Sequence, residues 1–80
     1  MTTIEQYKQD IQTIEAFFRA KAVLTDDENI NSISAILYTG RNSLSFSVQK
    51  QLHDQLTSSS FTVLSTGNRI AIRISPILSN

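Results

Sequence analysis

The first apolar pattern along the chain is helical. Ile4, Tyr7, Ile11, Ile14 and Phe18 recur at spacings of three and four, which places them on one face of a helix over 4–21. Thr3, with Gln6 three residues on, has the spacing of a capping box, in which each side chain satisfies a free amide. Glu15 and Arg19 stand at the i, i+4 spacing of a helical ion pair on the opposite face. A polar break follows at Thr25-Asp26-Asp27-Glu28-Asn29.

The period then changes from near four to two. Residues 31–38 and 44–48 alternate as two strands around Thr39-Gly40-Arg41-Asn42. A hairpin turning at Gly40-Arg41 pairs Leu37 with Leu44, Ala35 with Phe46 and Ile33 with Val48, keeping the apolar residues on one face. Val48, Leu52 and Leu56 form the stripe of a second, shorter helix over 47–57. A second hairpin, 61–65 with 69–75, turns at Gly67-Asn68 and opposes Phe61 to Ile74, Val63 to Ile72 and Ser65 to Ile70. Pro76 has no amide hydrogen to donate and ends the last strand.

These elements predict an α+β fold of helix–hairpin–helix–hairpin (αββαββ) order. The expected architecture is a four-stranded antiparallel sheet with two helices packed on one face. One domain covers 1–80, with 76–80 as a short C-terminal tail, because 80 residues suffice for a single core. The expected inward set is Ile33, Ala35, Leu37, Leu44, Phe46, Phe61, Val63, Ile70, Ile72 and Ile74. Alternation then sends Ser34, Ile36, Tyr38, Ser43, Ser45, Thr62, Leu64, Arg69, Ala71 and Arg73 outward.

Composition narrows the functions. The chain has no cysteine and ten isoleucines, so apolar packing rather than disulfides must hold it. Seven basic residues balance seven acidic ones, which disfavours nucleic acid, since phosphate neutralisation supplies most of such binding. No apolar run approaches the ~20 residues that span a bilayer, and Met1-Thr2-Thr3-Ile4-Glu5 lacks a secretory signal's basic start. A soluble cytoplasmic protein is expected. The Ser/Thr/Asn/Gln-rich composition is similar to that of small bacterial or bacteriophage accessory proteins.

No catalytic site is expected. His53 is the single histidine, at the margin of the second helix's stripe, and Asp54 beside it should point elsewhere. Asp26, Asp27, Glu28 and Asn29 are consecutive and lack the alternate oxygens and glycine of a calcium loop, so they serve solvation and capping. One histidine without cysteine leaves no zinc set, and Gly40 and Gly67 are used by turns, leaving no phosphate loop. No metal, cofactor or small-molecule substrate is expected.

What remains is apolar surface. Ile36, Tyr38 and Leu64 on the outer face, with Arg73 and the tail residues Ile77 and Leu78, predict a contact surface. The expected function is a non-enzymatic protein-interaction or accessory module, binding a partner or a second copy through that face. One alternative is a weak nucleic-acid binder using Arg41, Arg69 and Arg73. Another is an enzyme completed across a subunit interface, with His53 and Asp54 as its best candidates.

Overall fold

The structure, a computed structural model, describes residues 2–25 and 29–78. The order is α1 (Ile4–Phe18), β1 (Ala22–Thr25), β2 (Ser34–Tyr38), α2 (Phe46–Gln55), β3 (Ser59–Thr66) and β4 (Arg69–Pro76). The sheet runs β1-β2-β4-β3 with every neighbouring pair antiparallel. The expected αββαββ architecture is therefore present, although one of its strands comes from a different part of the sequence.

Helix α1 follows its pattern. The Thr3 side chain accepts from the Gln6 amide at 3.2 Å and the Gln6 side chain accepts from the Thr3 amide at 3.0 Å, closing the capping box. Tyr7, Ile11, Ile14 and Phe18 are buried. The helix stops at Phe18, not at Lys21, because Arg19 turns left-handed at φ 53°. Glu15 does not pair with Arg19. Its carboxylate accepts from the Ala22 amide at 2.8 Å, which fixes the start of β1.

Strand β1 replaces the predicted strand 44–48. Ala22 and Leu24 pair with Leu37 and Ala35 of β2, so β2 is already flanked on that side. On its other side β2 pairs with β4, and the chain beyond Tyr38 stays attached there. Thr39 donates its amide to the Ile70 carbonyl at 3.1 Å, and Ile70 donates to the Arg41 carbonyl at 2.9 Å. Residues 39–41 are thus held beside β4 and cannot turn back as a hairpin, so the pairings of Leu37, Ala35 and Ile33 with Leu44, Phe46 and Val48 do not form. Ser45 instead caps α2, its hydroxyl accepting from the Val48 amide at 3.2 Å. Phe46, expected inside, lies on α2 and is 82 % exposed. Leu44 and Val48 are half-buried against the core.

The second hairpin matches its predicted register pair for pair: Phe61 to Ile74, Val63 to Ile72 and Ser65 to Ile70. Gly67, at φ 63°, supplies the left-handed step of its two-residue turn. The core joins Tyr7, Ile11 and Ile14 of α1 and Leu52 of α2 to Ala35, Leu37, Ile72 and Ile74 of the sheet, with Ile33 just before β2. The Tyr7 hydroxyl donates to the Ile74 carbonyl within it.

Candidate functional site

The registers define the outer face row by row. Tyr38 opposes Ala71, which opposes Leu64 on its other side. In the adjacent row Val23 opposes Ile36, which opposes Arg73. Neighbouring strands lie about 4.8 Å apart, so Tyr38 and Leu64 are only about 10 Å from each other across Ala71. Ala71 is nearly inaccessible although it faces outward, because the two larger side chains flank it.

Tyr38 and Val23 are 58 % and 61 % exposed, while Ile36 and Leu64 are half-buried. The strand alternation thus gathers Ile36, Tyr38, Leu64 and Arg73, as the sequence suggests. Val23 joins them only because β1 exists, and β1 is too short to show an alternation of its own in the sequence. Arg69 lies on the same face as Arg73, beyond Ala71. No acidic residue occupies an outward position on the four strands. The face therefore has an apolar central row with one arginine on either side of it along β4.

The tail stands apart. Ile77 lies six residues beyond Ala71, about 20 Å along the strand direction. Its amide donates to the Ser58 carbonyl at 2.9 Å, and its carbonyl accepts from the Thr2 hydroxyl at 2.6 Å. Ile77 and Leu78 remain about half exposed at that end of the sheet and do not cover the Tyr38 row.

The turn arginines do not converge. The Arg41 guanidinium sits 5.3 Å from the centroid of the Phe18 ring, toward the helices. Arg69 donates to the Gly40 carbonyl at 3.3 Å. Only Arg73 projects from the sheet without a hydrogen bond or salt bridge among the described residues.

His53 and Asp54 approach more closely than their adjacency suggests, with Nδ1 3.9 Å from Oδ1, but both are largely in solvent. Ser59 and Ser60 line the same groove as His53, yet the Ser59 hydroxyl donates to Asp10, and no serine hydroxyl bonds to His53 among the described residues. A nucleophile poised on its base is therefore missing there. Asp26, Asp27 and Glu28, the core of the acidic run, lie outside the described residues. The described residues hold no group of three metal-ligating side chains. No described helix is long and apolar enough to cross a membrane.

One buried polar residue gave no sign of itself in the sequence. Asp10, 4 % exposed on the buried face of α1, accepts from the Ser59 hydroxyl at 2.7 Å and the Ser58 amide at 2.8 Å. Weaker contacts reach it from the Thr57 amide and hydroxyl at 3.3 and 3.4 Å. Its oxygens are saturated by protein donors, which makes it a joint between α1 and the start of β3. Comparison of the chain with protein-family models, with curated proteins and with solved structures finds no match.

Proposed function

We propose that this chain is a non-enzymatic protein-interaction module whose contact surface is the outer face of the sheet. The observation that carries the reading is the uncovered Tyr38–Ala71–Leu64 row beside Val23 and Ile36. An exposed aromatic within an apolar patch is a common anchor of a protein interface. Arg73 and Arg69, flanking Ala71 on β4, with no acidic residue among the outward strand positions, suit a partner that meets them with carboxylates. The tail, pinned at the far end of the sheet, does not compete for that surface.

The test is a photo-reactive phenylalanine analogue placed at position 38 and, as a control, at Lys8 on the exposed side of α1. Expressed in cells of its source, the position-38 protein should yield a discrete protein adduct that the Lys8 control lacks and that Ile36→Asp abolishes. Absence of a face-dependent adduct refutes the assignment. An adduct to nucleic acid at position 38 would instead favour Arg69 and Arg73 as phosphate contacts.

A further inference from the structure

The two edges of the sheet are guarded differently. Strand β1 is four residues long and follows directly on Arg19 and Lys21, two of the ordinary devices that blunt an edge. Strand β3 runs eight residues, Ser59–Thr66, and contains no charge and no proline. Thr66 and Arg69 close the turn at one end of its ladder, and Ser58 accepts the Ile77 amide at the other. Residues that exchange both bonds alternate with residues whose groups point away. The amides and carbonyls of Phe61, Val63 and Ser65 therefore face outward, whereas Ser59, only 5 % exposed, is covered. Among the described residues, no backbone hydrogen bond from outside the strand reaches them.

Apolar side chains accompany this free edge. Between α2 and β3 runs a groove of about 550 Å³ whose walls include Leu56, Phe61, Val63 and Ile77. Phe46 lines a neighbouring cleft with Phe61. The rim of that cleft carries both Lys50 and Asp54, so an approaching copy meets no wall of single sign.

We propose that β3 pairs antiparallel with β3 of a second copy about a two-fold axis through Thr62, making one eight-stranded sheet. A row of free backbone groups is a template for another strand, and this strand is complementary to itself. An axis at Thr62 sets Phe61 against Val63 of the second copy and Ser59 against its Ser65. The two Phe61–Val63 pairs then give about four hydrogen bonds, two per pair, the buried Ser59 contributing none. The Phe61–Val63 contacts form twice, aromatic against β-branched, on the side where Phe46 is exposed. An axis one residue further on, at Val63, would set Phe61 against Ser65 and leave a single Val63–Val63 pair in place of two Phe61–Val63 pairs. The strand's lack of charge removes the like-charge repulsion that a two-fold axis would otherwise impose.

The chain contains no cysteine, so a single introduced thiol reports the register. At Thr62 the two copies face each other as a non-hydrogen-bonded pair with Cα atoms about 4.5 Å apart, within disulfide reach. Thr62→Cys should oxidise rapidly to a covalent dimer, at least tenfold faster than Ser60→Cys, whose opposite neighbour is Leu64. Light scattering of the native chain should approach twice 9.0 kDa between low micromolar and near-millimolar concentration. Val63→Pro deletes one outward amide without touching the β4 ladder, and should lower the association constant at least tenfold with an unchanged circular dichroism spectrum. Ile36→Asp should leave the dimer intact, which separates this edge from the outer face. A strict monomer overturns the proposal, including one that binds only an extended peptide of another sequence. A dimer that Ile36→Asp dissociates, or one in which Thr62→Cys oxidises no faster than Ser60→Cys, overturns it equally.

Discussion

Replacing Asp10 tests whether one buried carboxylate holds α1 to the α2–β3 junction. Its two short bonds, 2.7 Å from the Ser59 hydroxyl and 2.8 Å from the Ser58 amide, are charge-assisted and within the strong range. Each such bond is worth about 1.5–3 kcal/mol, and truncation also leaves buried donors without a partner. Asp10→Ala should therefore cost about 3–5 kcal/mol. A domain of this length has only about 4–12 kcal/mol in total, so the loss brings it close to unfolding. Asp10→Asn can keep its oxygen on the Ser58 amide and Ser59 hydroxyl, while the Thr57 hydroxyl reverses to accept from the new amide group and only the long 3.3 Å bond from the Thr57 amide is lost. Its cost should be nearer 1 kcal/mol. Urea unfolding followed by circular dichroism gives both values as shifts in midpoint at constant m. Ser59→Ala, a smaller perturbation, keeps the comparison measurable if Asp10→Ala does not fold. A loss under about 1 kcal/mol for Asp10→Ala, against the strong-bond range above, would refute the joint.

Two further outcomes follow from burial. Tyr7 is inaccessible, and burial pushes its hydroxyl from the ordinary 10.0 up to about 12. Because the folded state holds this proton more tightly, its contribution is complete below about pH 10 and is lost as pH rises through about 12. The loss amounts to about 3 kcal/mol at most. Urea midpoints should fall across that window in the native chain and flatten in Tyr7→Phe; equal losses in both would remove Tyr7 as the cause. Leu52→Ala should destabilise by about 2–5 kcal/mol, since that side chain is fully buried. Phe46→Ala, measured at low micromolar concentration, should change stability by less than about 0.5 kcal/mol. A reversed ranking would return Phe46 to the core.

The legible parts of the fold are those where local pattern and tertiary environment agree. The stripe of α1, its capping box and the second hairpin's register all follow from residues close in sequence. The misplaced strand shows where that agreement ends. Residues 44–48 alternate perfectly, yet Ser45 has a competing use as a helix cap, and β2 has already taken Ala22–Thr25 as its neighbour. Four residues, Ala-Val-Leu-Thr, are too few for a period, and what selects them is the left-handed turn at Arg19 with the bond from Ala22 to Glu15. Only long-range pairing decides between these candidates. The outer patch was legible for Ile36, Tyr38 and Leu64 because alternation alone assigns a face, and incomplete at Val23 for want of β1.

The sequence also hides why the proposed surfaces are ready for a partner. Ser58-Ser59-Ser60 looks like a flexible linker, but Asp10 binds Ser58 and Ser59, and β3 begins at Ser59. The open edge is thereby tied to α1 at its first residue and to the turn with β4 at its last. Leu64, on the same strand, completes the Tyr38 row on the outer face. Binding at either surface then needs little new ordering of the backbone, and it is such ordering that weakens interfaces of this small size. Loosening the joint should consequently weaken association at the β3 edge more than at the Tyr38 row, which β2 and β4 also support. Asp10→Asn, mild enough to keep the fold, separates the two: a larger loss of dimer than of the position-38 adduct is the expected result. Equal losses would mean that the edge and the face respond to global stability alone.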